Sequence, residues 1–224
     1  MKTILCLLLL TLAVFQFSSA QQDSKNQFTY GAQAGINLAN FTEDQDFENR
    51  IGLNAGIFVS YDFLDSPLSF TSGLLYSQLG AKRDVSFISI FDGPDLDYKA
   101  SLKLDYLKIP LFIEYEVIPN ASLFIGPQIG FLVGNKEQYE FVEDGLYSGN
   151  RDFDFESENV QELSLSATLG VKVFLYKNIF VQGQYEFGVY DIFKDEQFAQ
   201  DTGRTFSYEE FRHSVFTASL GYQF

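Results

Sequence analysis

The sequence predicts an all-β fold, an eight-stranded antiparallel up-and-down transmembrane β-barrel. Three observations carry this expectation. Eight segments alternate apolar and polar residues with a period of two, as strands with two different faces do. The connections between them alternate short and long, as in outer-membrane barrels. The chain also ends on an alternating aromatic strand, Ser214 to Phe224 (SVFTASLGYQF). Termini usually fray unless tied down, whereas the last strand of a barrel must pair with the first to abolish sheet edges.

Residues 1–20 read as a signal peptide. Lys2 supplies the positive start, Ile4 to Val14 is an apolar run broken only by Thr11, and Ser18-Ser19-Ala20 offers small residues for cleavage before Gln21. The run is shorter than the ~20 residues of a spanning helix. Residues 21–224 are then expected to form one barrel domain. Cys6 is the only cysteine, so no disulfide framework is available after cleavage.

The segments follow in order. Phe28 to Leu38 sets Phe28, Tyr30, Ala32, Ala34, Ile36 and Leu38 against Gln33, Gly35 and Asn37. Ile51 to Phe63 opposes Ile51, Leu53, Ile57, Val59 and Tyr61 to Gly52, Asn54, Gly56, Ser60 and Asp62. Leu68 to Gly80 is less regular, because Leu74 and Leu75 are adjacent. Leu104 to Val117 has an apolar face from Leu107 to Val117 and a second face with Lys108, Glu114 and Glu116.

Ala121 to Val133, Leu163 to Leu175 and Ile179 to Val189 repeat the pattern, the last with Gln182, Gln184 and Glu186 on its polar face. Ser214 to Phe224 is the eighth. Each has about the 9–11 residues of a tilted membrane-crossing strand, or slightly more. Pro110 and Pro127 lie inside segments, where each removes a ladder donor.

Three connections are short: Leu64 to Pro67, Ile118 to Asn120 and Tyr176 to Asn178. Four are long: Ala39–Arg50, Ala81–Lys103, Gly134–Glu162 and Tyr190–Arg212, and they hold most of the acidic residues. An even strand number puts both termini at the short-turn, periplasmic side and the long acidic loops outside the cell.

Alternation does not say which face points inward. A lipocalin-like soluble barrel would enclose its apolar face, and a membrane barrel inverts this. The Gly-, Ser-, Gln- and Asn-rich polar face, the aromatics near segment ends and the lopsided loops favour the membrane form. Eight strands leave a lumen that side chains fill. Lys108, Glu114, Glu116, Lys172, Gln184 and Glu186 are therefore expected to form an interior polar network, the alternative being a gated proton or ion path.

The formal net charge is −15, and losing Lys2 with the signal makes it −16. That excludes nucleic acid as a partner, which needs a basic surface. Catalytic residues are not expected. The single histidine, His213, adjoins Ser214, and neighbours on a strand point to opposite faces. Asp92, Asp95 and Asp97, or Asp152, Asp154 and Glu156, could offer oxygen ligands, but neither set has the spacing of a calcium loop. No metal or cofactor site is predicted. Asn40-Phe-Thr42 and Asn120-Ala-Ser122 match glycosylation sequons, which a bacterial outer membrane would leave silent.

Several stretches carry a family resemblance. They are Tyr30-Gly-Ala-Gln-Ala-Gly-Ile-Asn-Leu38, Leu74 to Lys82, Tyr106-Leu-Lys-Ile-Pro-Leu111, Ile125-Gly-Pro-Gln-Ile-Gly130 and Gly221-Tyr-Gln-Phe224. Together the chain resembles the PorT-like outer-membrane β-barrel family of Bacteroidetes-type bacteria. The resemblance implies an eight-stranded barrel and no catalytic motif; one member of that family is associated with secretion of cell-surface proteins. The expected function is that of a non-enzymatic outer-membrane barrel, an anchor with acidic loops that meet a surface partner. The alternative is an accessory factor for secretion or assembly of surface proteins. A lipid-modifying outer-membrane enzyme and a soluble binding barrel rank lower. Expected partners are outer-membrane lipid and lipopolysaccharide, the barrel-insertion machinery, and a protein at the loops or turns.

Overall fold

The computed structural model describes residues 27–42, 47–87, 96–143, 146–153, 160–190 and 212–224. The proposed signal peptide lies outside them. Nine strands appear: β1 (Phe28–Thr42), β2 (Phe47–Asp62), β3 (Leu68–Phe87), β4 (Leu96–Ile118), β5 (Ala121–Glu143), β6 (Leu146–Phe153), β7 (Leu163–Tyr176), β8 (Ile179–Gly188) and β9 (Arg212–Gln223). Eight of them close a ring in the order β4-β3-β2-β1-β9-β8-β7-β5, and β4 pairs with β5 to complete it. Every pairing is antiparallel.

Closure runs through the chain's end. β9 pairs with β1 from Gly31↔Gln223 to Thr42↔Arg212. Beyond the ladder, the Phe224 N–H donates to the Tyr30 carbonyl at 2.7 Å. At the short-turn end, the left-handed backbone demanded by tight reversals falls on Asp65 (φ 57°) and Asn120 (φ 73°). Both are residue types that tolerate this region.

The polar face is the inner one. Ile57, Ile125 and Leu220 are 64%, 65% and 56% exposed, while Lys108, Glu186 and Thr168 are 1%, 2% and 1% exposed. Leaving a Leu or Ile side chain in water forgoes about 1.5–3 kcal/mol each. A continuous belt of them would overwhelm the about 5–15 kcal/mol that holds a domain folded. Lipid, not water, is the solvent this surface fits. On β4 the belt runs from Leu107 to Val117. Ten steps at ~3.4 Å, tilted by ~40°, give about 26 Å of height, the thickness of a membrane barrel's apolar band.

Pro110 and Pro127 are accommodated by gaps, not by breaks. The β3–β4 ladder skips from Ser72↔Leu111 to Leu75↔Lys108, and the β4–β5 ladder from Pro110↔Gln128 to Ile113↔Ile125, with the register unchanged across each.

The strands are longer than the alternation suggested. Three of the four segments read as long loops contain sheet. β1 and β2 run into Ala39–Arg50. β3 and β4 continue as one hairpin through most of Ala81–Lys103, up to Phe87↔Leu96. β5 runs on to Glu143 and turns back as β6, a ninth strand outside the ring that pairs only with β5. A four-stranded sheet thus stands above the long-loop mouth.

Candidate functional site

The lumen is packed in layers. Nearest the short turns lies an aromatic layer of Phe58, Phe112, Phe124, Phe174 and Phe180. Phe58 meets Phe180 edge-on at 5.6 Å, and Phe112 lies 4.9 Å from Phe124. These phenylalanines break the polar-face rule, and the register shows why. Phe58, Phe124 and Phe180 sit directly opposite Gly31, Gly170 and Gly221. A Cβ on any of those glycines would run into the facing ring. For these three rings, the bare backbone of the neighbouring strand makes the room that an eight-stranded lumen is short of.

Charges in the lumen are paired. Lys172 Nζ donates to Glu114 Oε1 and Oε2 at 2.7 and 2.8 Å, and sits 5.4 and 5.3 Å from the Phe58 and Phe180 ring centres. The space beside this pair, bordered by Gln33, Thr71 and Gln182, is no larger than a water. Higher up, Lys108 Nζ donates to both Glu186 oxygens at 2.6 and 2.7 Å. Both pairs join strands that are not neighbours in the ring, so each is a strut across the lumen. Buried ion pairs add little net stability, but losing one partner strands a charge at a cost of about 3–5 kcal/mol.

Neutral bonds fill the remaining layers. Asn37 donates to Ser77 Oγ at 3.0 Å and accepts from Thr217 Oγ1 at 2.8 Å. Gln128 donates to Thr168 at 2.7 Å, and Gln182 to Gln184 at 2.9 Å. Five of the six residues expected in the interior network are therefore there. Glu116 is not: it is exposed at the short-turn rim, beside the register shift between Glu116 and Ile118.

At the long-loop mouth the interior turns apolar. Ala39, Phe41, Leu79, Ala81, Leu104, Tyr106 and Val215 pack with Val160, and Leu102 and Leu132 border them. His213 lies in this cap, 3% exposed, with its ring 5.9 Å from Phe41 and 5.6 Å from Tyr106. Neither ring nitrogen has a hydrogen-bond partner among the described residues. Ser214 is on the outer face, where its hydroxyl meets Tyr185 Oη at 2.8 Å. The two neighbours are on opposite sides of the wall, so they form no nucleophile–base pair.

Asp92, Asp95, Asp154 and Glu156 fall outside the described residues. Among those described, no cluster of three or more His, Cys, Asp or Glu could hold a metal ion. No helix is long and apolar enough to cross a membrane, a statement that leaves strands untouched.

The sheet above the mouth has its own pattern. Its rows follow from the ladders. One row is Arg83, Ala100, Tyr139 and Arg151; the next is Val85, Tyr98, Phe141 and Gly149; the top is Phe87 and Leu96. These rows continue the parity of lumen-facing Leu79, Ala81, Leu102 and Leu104. β5 is kept in phase by a register shift at Val133, between Asp105↔Gly134 and Tyr106↔Leu132. The opposite face carries the rows Lys82, Ser101, Gln138, Asp152 and Asp84, Lys99, Glu140, Asn150.

A closed antiparallel barrel with an apolar belt outside and ion pairs inside defines a membrane-barrel class of protein. Residues 19–194 match the family of the outer membrane protein beta-barrel domain, and the chain belongs to that family. The match spans β1 to β8. No curated protein matches the sequence. Among solved structures, the chain is similar to Neisserial surface protein A (13% identity, 90% of this chain and 100% of that one, TM-score 0.41). It is also similar to Ail, the attachment invasion locus protein of Yersinia pestis, solved with the heparin analogue sucrose octasulfate (13% identity, 88% and 97%, TM-score 0.39). A third is the N-terminal β-barrel domain of Pseudomonas aeruginosa OprF (8% identity, 88% and 98%, TM-score 0.33).

Proposed function

We propose that this protein is a non-enzymatic anchor of the bacterial outer membrane that holds a recognition surface outside the cell. The observation that carries the reading is the lumen, filled from the aromatic layer to the apolar cap. Among the described residues the filled lumen shows no open path along the barrel axis, which favours a working surface at an end of the barrel. The short-turn end offers only tight reversals. The long-loop end carries a sheet with faces of its own. On this reading residues 1–20 direct export and are removed, the long-loop end faces outward, and lipopolysaccharide surrounds the upper belt.

Heat-modifiable migration of the unboiled protein from outer-membrane fractions tests the anchor; a soluble periplasmic product with no such shift overturns it. Single-channel recording on the purified protein in planar bilayers is expected to find no steady conductance. An accessory role in secretion of surface proteins is the second reading, supported by the resemblance of Tyr106 to Leu111 and its companion stretches to PorT-like proteins. Gene deletion followed by a surface-protein profile separates the two. An unchanged profile removes the secretion reading, and loss of several surface proteins favours it.

A further inference from the structure

We propose that Lys82, Lys103 and Lys136, with the notch at Gly80, form a binding site for the phosphate groups of lipopolysaccharide. The proposal deepens the anchor reading above and rests on it, because these lysines meet lipid only if the belt beneath them lies in the bilayer. Three observations lead to it.

The first is where the lysines stand. Three neighbouring strands change in the same way as they leave the belt. On β3 the outward positions read Leu74, Tyr76, Gln78, Gly80 and Lys82, and on β4 they read Leu107, Asp105 and Lys103. On β5 they read Phe131, Val133 and, past the register shift, Lys136. Each series runs from an apolar residue to a lysine. Lys82 is exposed, and Lys103 and Lys136 are half-buried. Four residues at ~3.4 Å, tilted by ~40°, put Lys103 about 10 Å above Leu107. The polar layer of a bilayer is about 5–8 Å thick on each side, and a lysine stem leans along apolar surface to place its ammonium there.

The second is how close they are. Lys103 and Lys136 are direct ladder partners, and Gly80 faces Lys103 from the other side. Lys82 faces Ser101, which puts it one diagonal step, ~7–8 Å, from Lys103. Like charges directly opposite each other destabilise a sheet, and an anion held between them removes that repulsion. The chain as a whole carries a net charge of −15. Among the described outward positions beside the lysines, the acids are Asp105 and Glu48, the latter opposite Lys82.

The third is the notch. Gly80 has a φ of 128°, and a Cβ there would run into the Leu102 carbonyl, so no side chain can fill the place beside Lys103. Arg50 lies behind it. Its side chain is buried, 8% exposed, and its Nη1 donates to the Leu79 carbonyl and would stand 3.3 Å from a Gly80 Cβ. Arg50 also interacts electrostatically with Asp105 and Tyr76. A buried guanidinium thus backs a gap that lysines flank. Basic clusters beside a membrane span recognise anionic headgroups, and lysine takes phosphate as a point charge.

Native mass spectrometry of the mature barrel in detergent micelles, with diphosphoryl lipid A added, tests the proposal. The wild type is expected to retain lipid A, and to retain lipid A stripped of its phosphates at least tenfold less. The double variant K103Q/K136Q should retain diphosphoryl lipid A at least tenfold less, and K103R/K136R about as much as the wild type. Lys177→Gln, in the short turn between β7 and β8, should change nothing. All three variants should keep heat-modifiable migration. Retention that ignores the lipid phosphates, an equal loss in K177Q, or no retention by the wild type overturns the proposal. Displacement of lipid A by an equal concentration of inorganic phosphate would also overturn it, making the patch a site for free anions. Displacement by an equal concentration of hexaglutamate would do the same, making it a site for acidic protein. Failure to retain lipid A with migration intact strikes this proposal alone; loss of heat-modifiable migration in the wild type would sink the membrane-anchor reading as well.

Discussion

Below the mouth, β3, β4 and β5 turn apolar side chains outward and keep charges in pairs within. A few residues further along β4, the outward positions change from apolar to polar. On β4 the outward positions read Val117, Tyr115, Ile113, Leu111, Ile109 and Leu107, then Asp105, Lys103, Ser101 and Lys99. The backbone does not change; the solvent does. Lipid surrounds the lower part and water the upper, so the outward positions of one strand are apolar below and polar above. The change between Leu107 and Asp105 locates the membrane boundary on this strand.

Several variants would break or sharpen this contrast. The largest effect is expected in the lumen. Lys108→Ala strands Glu186 in a closed interior and should cost about 3–5 kcal/mol, whereas Lys108→Met with Glu186→Leu should be close to neutral. Urea unfolding in lipid bilayers measures both; equal losses would mean that the pair is not enclosed.

Next comes the belt. Arginine at Ile125, near the middle of the lipid face of β5, should cost about 2–4 kcal/mol. Arginine at Ser101, an outward position above the boundary, should change stability by no more than about 0.5 kcal/mol. Similar costs at the two positions would erase the distinction between the regions.

A smaller effect is expected where ring and glycine face each other. Gly221→Val places a Cβ in the Phe180 ring, and overpacking of this kind costs about 1–3 kcal/mol. Phe180→Leu in the same chain should recover part of the loss.

The smallest concerns His213. Its ring nitrogens bond to nothing described, and replacing a buried unsatisfied group by an apolar one of similar shape is nearly neutral or stabilising. His213→Phe should therefore shift stability by less than about 1 kcal/mol and leave the lipid A mass spectrum unchanged. An altered lipid A pattern would revive an enzymatic role.

Much of the lower barrel was legible in the residues. Alternation marks the eight staves, the composition of the polar face, the aromatics near segment ends and the lopsided loops mark which face is outer, and the short turns at Leu64–Pro67, Ile118–Asn120 and Tyr176–Asn178 mark which staves are joined by tight turns. The two struts were legible as residue types, but not as the pairs Lys108–Glu186 and Lys172–Glu114. Pairing across a lumen depends on shear and tilt, which one strand does not reveal. Phe58, Phe124 and Phe180 do not show in the alternation as inward rings, because the room for each comes from a glycine on the next strand, a relation set by register. The sheet above the mouth, β6 included, is not legible as alternation and falls in stretches that the sequence marks as long loops. Its charges are frequent, and on β5 the bulge at Val133 adds a residue that breaks a strict period of two.

A depth profile along β4 tests the central claim most directly. Cys6 is the only native cysteine, so spin labels can be placed one at a time on the mature chain, at odd positions from Asp97 to Val117, in lipid bilayers. Accessibility to oxygen should be high at positions 107 to 117 and give way to accessibility to a water-soluble nickel chelate from 105 upward. Oxygen accessibility that continues to position 97, or water accessibility throughout, would contradict a membrane barrel whose strands rise out of the bilayer above Leu107.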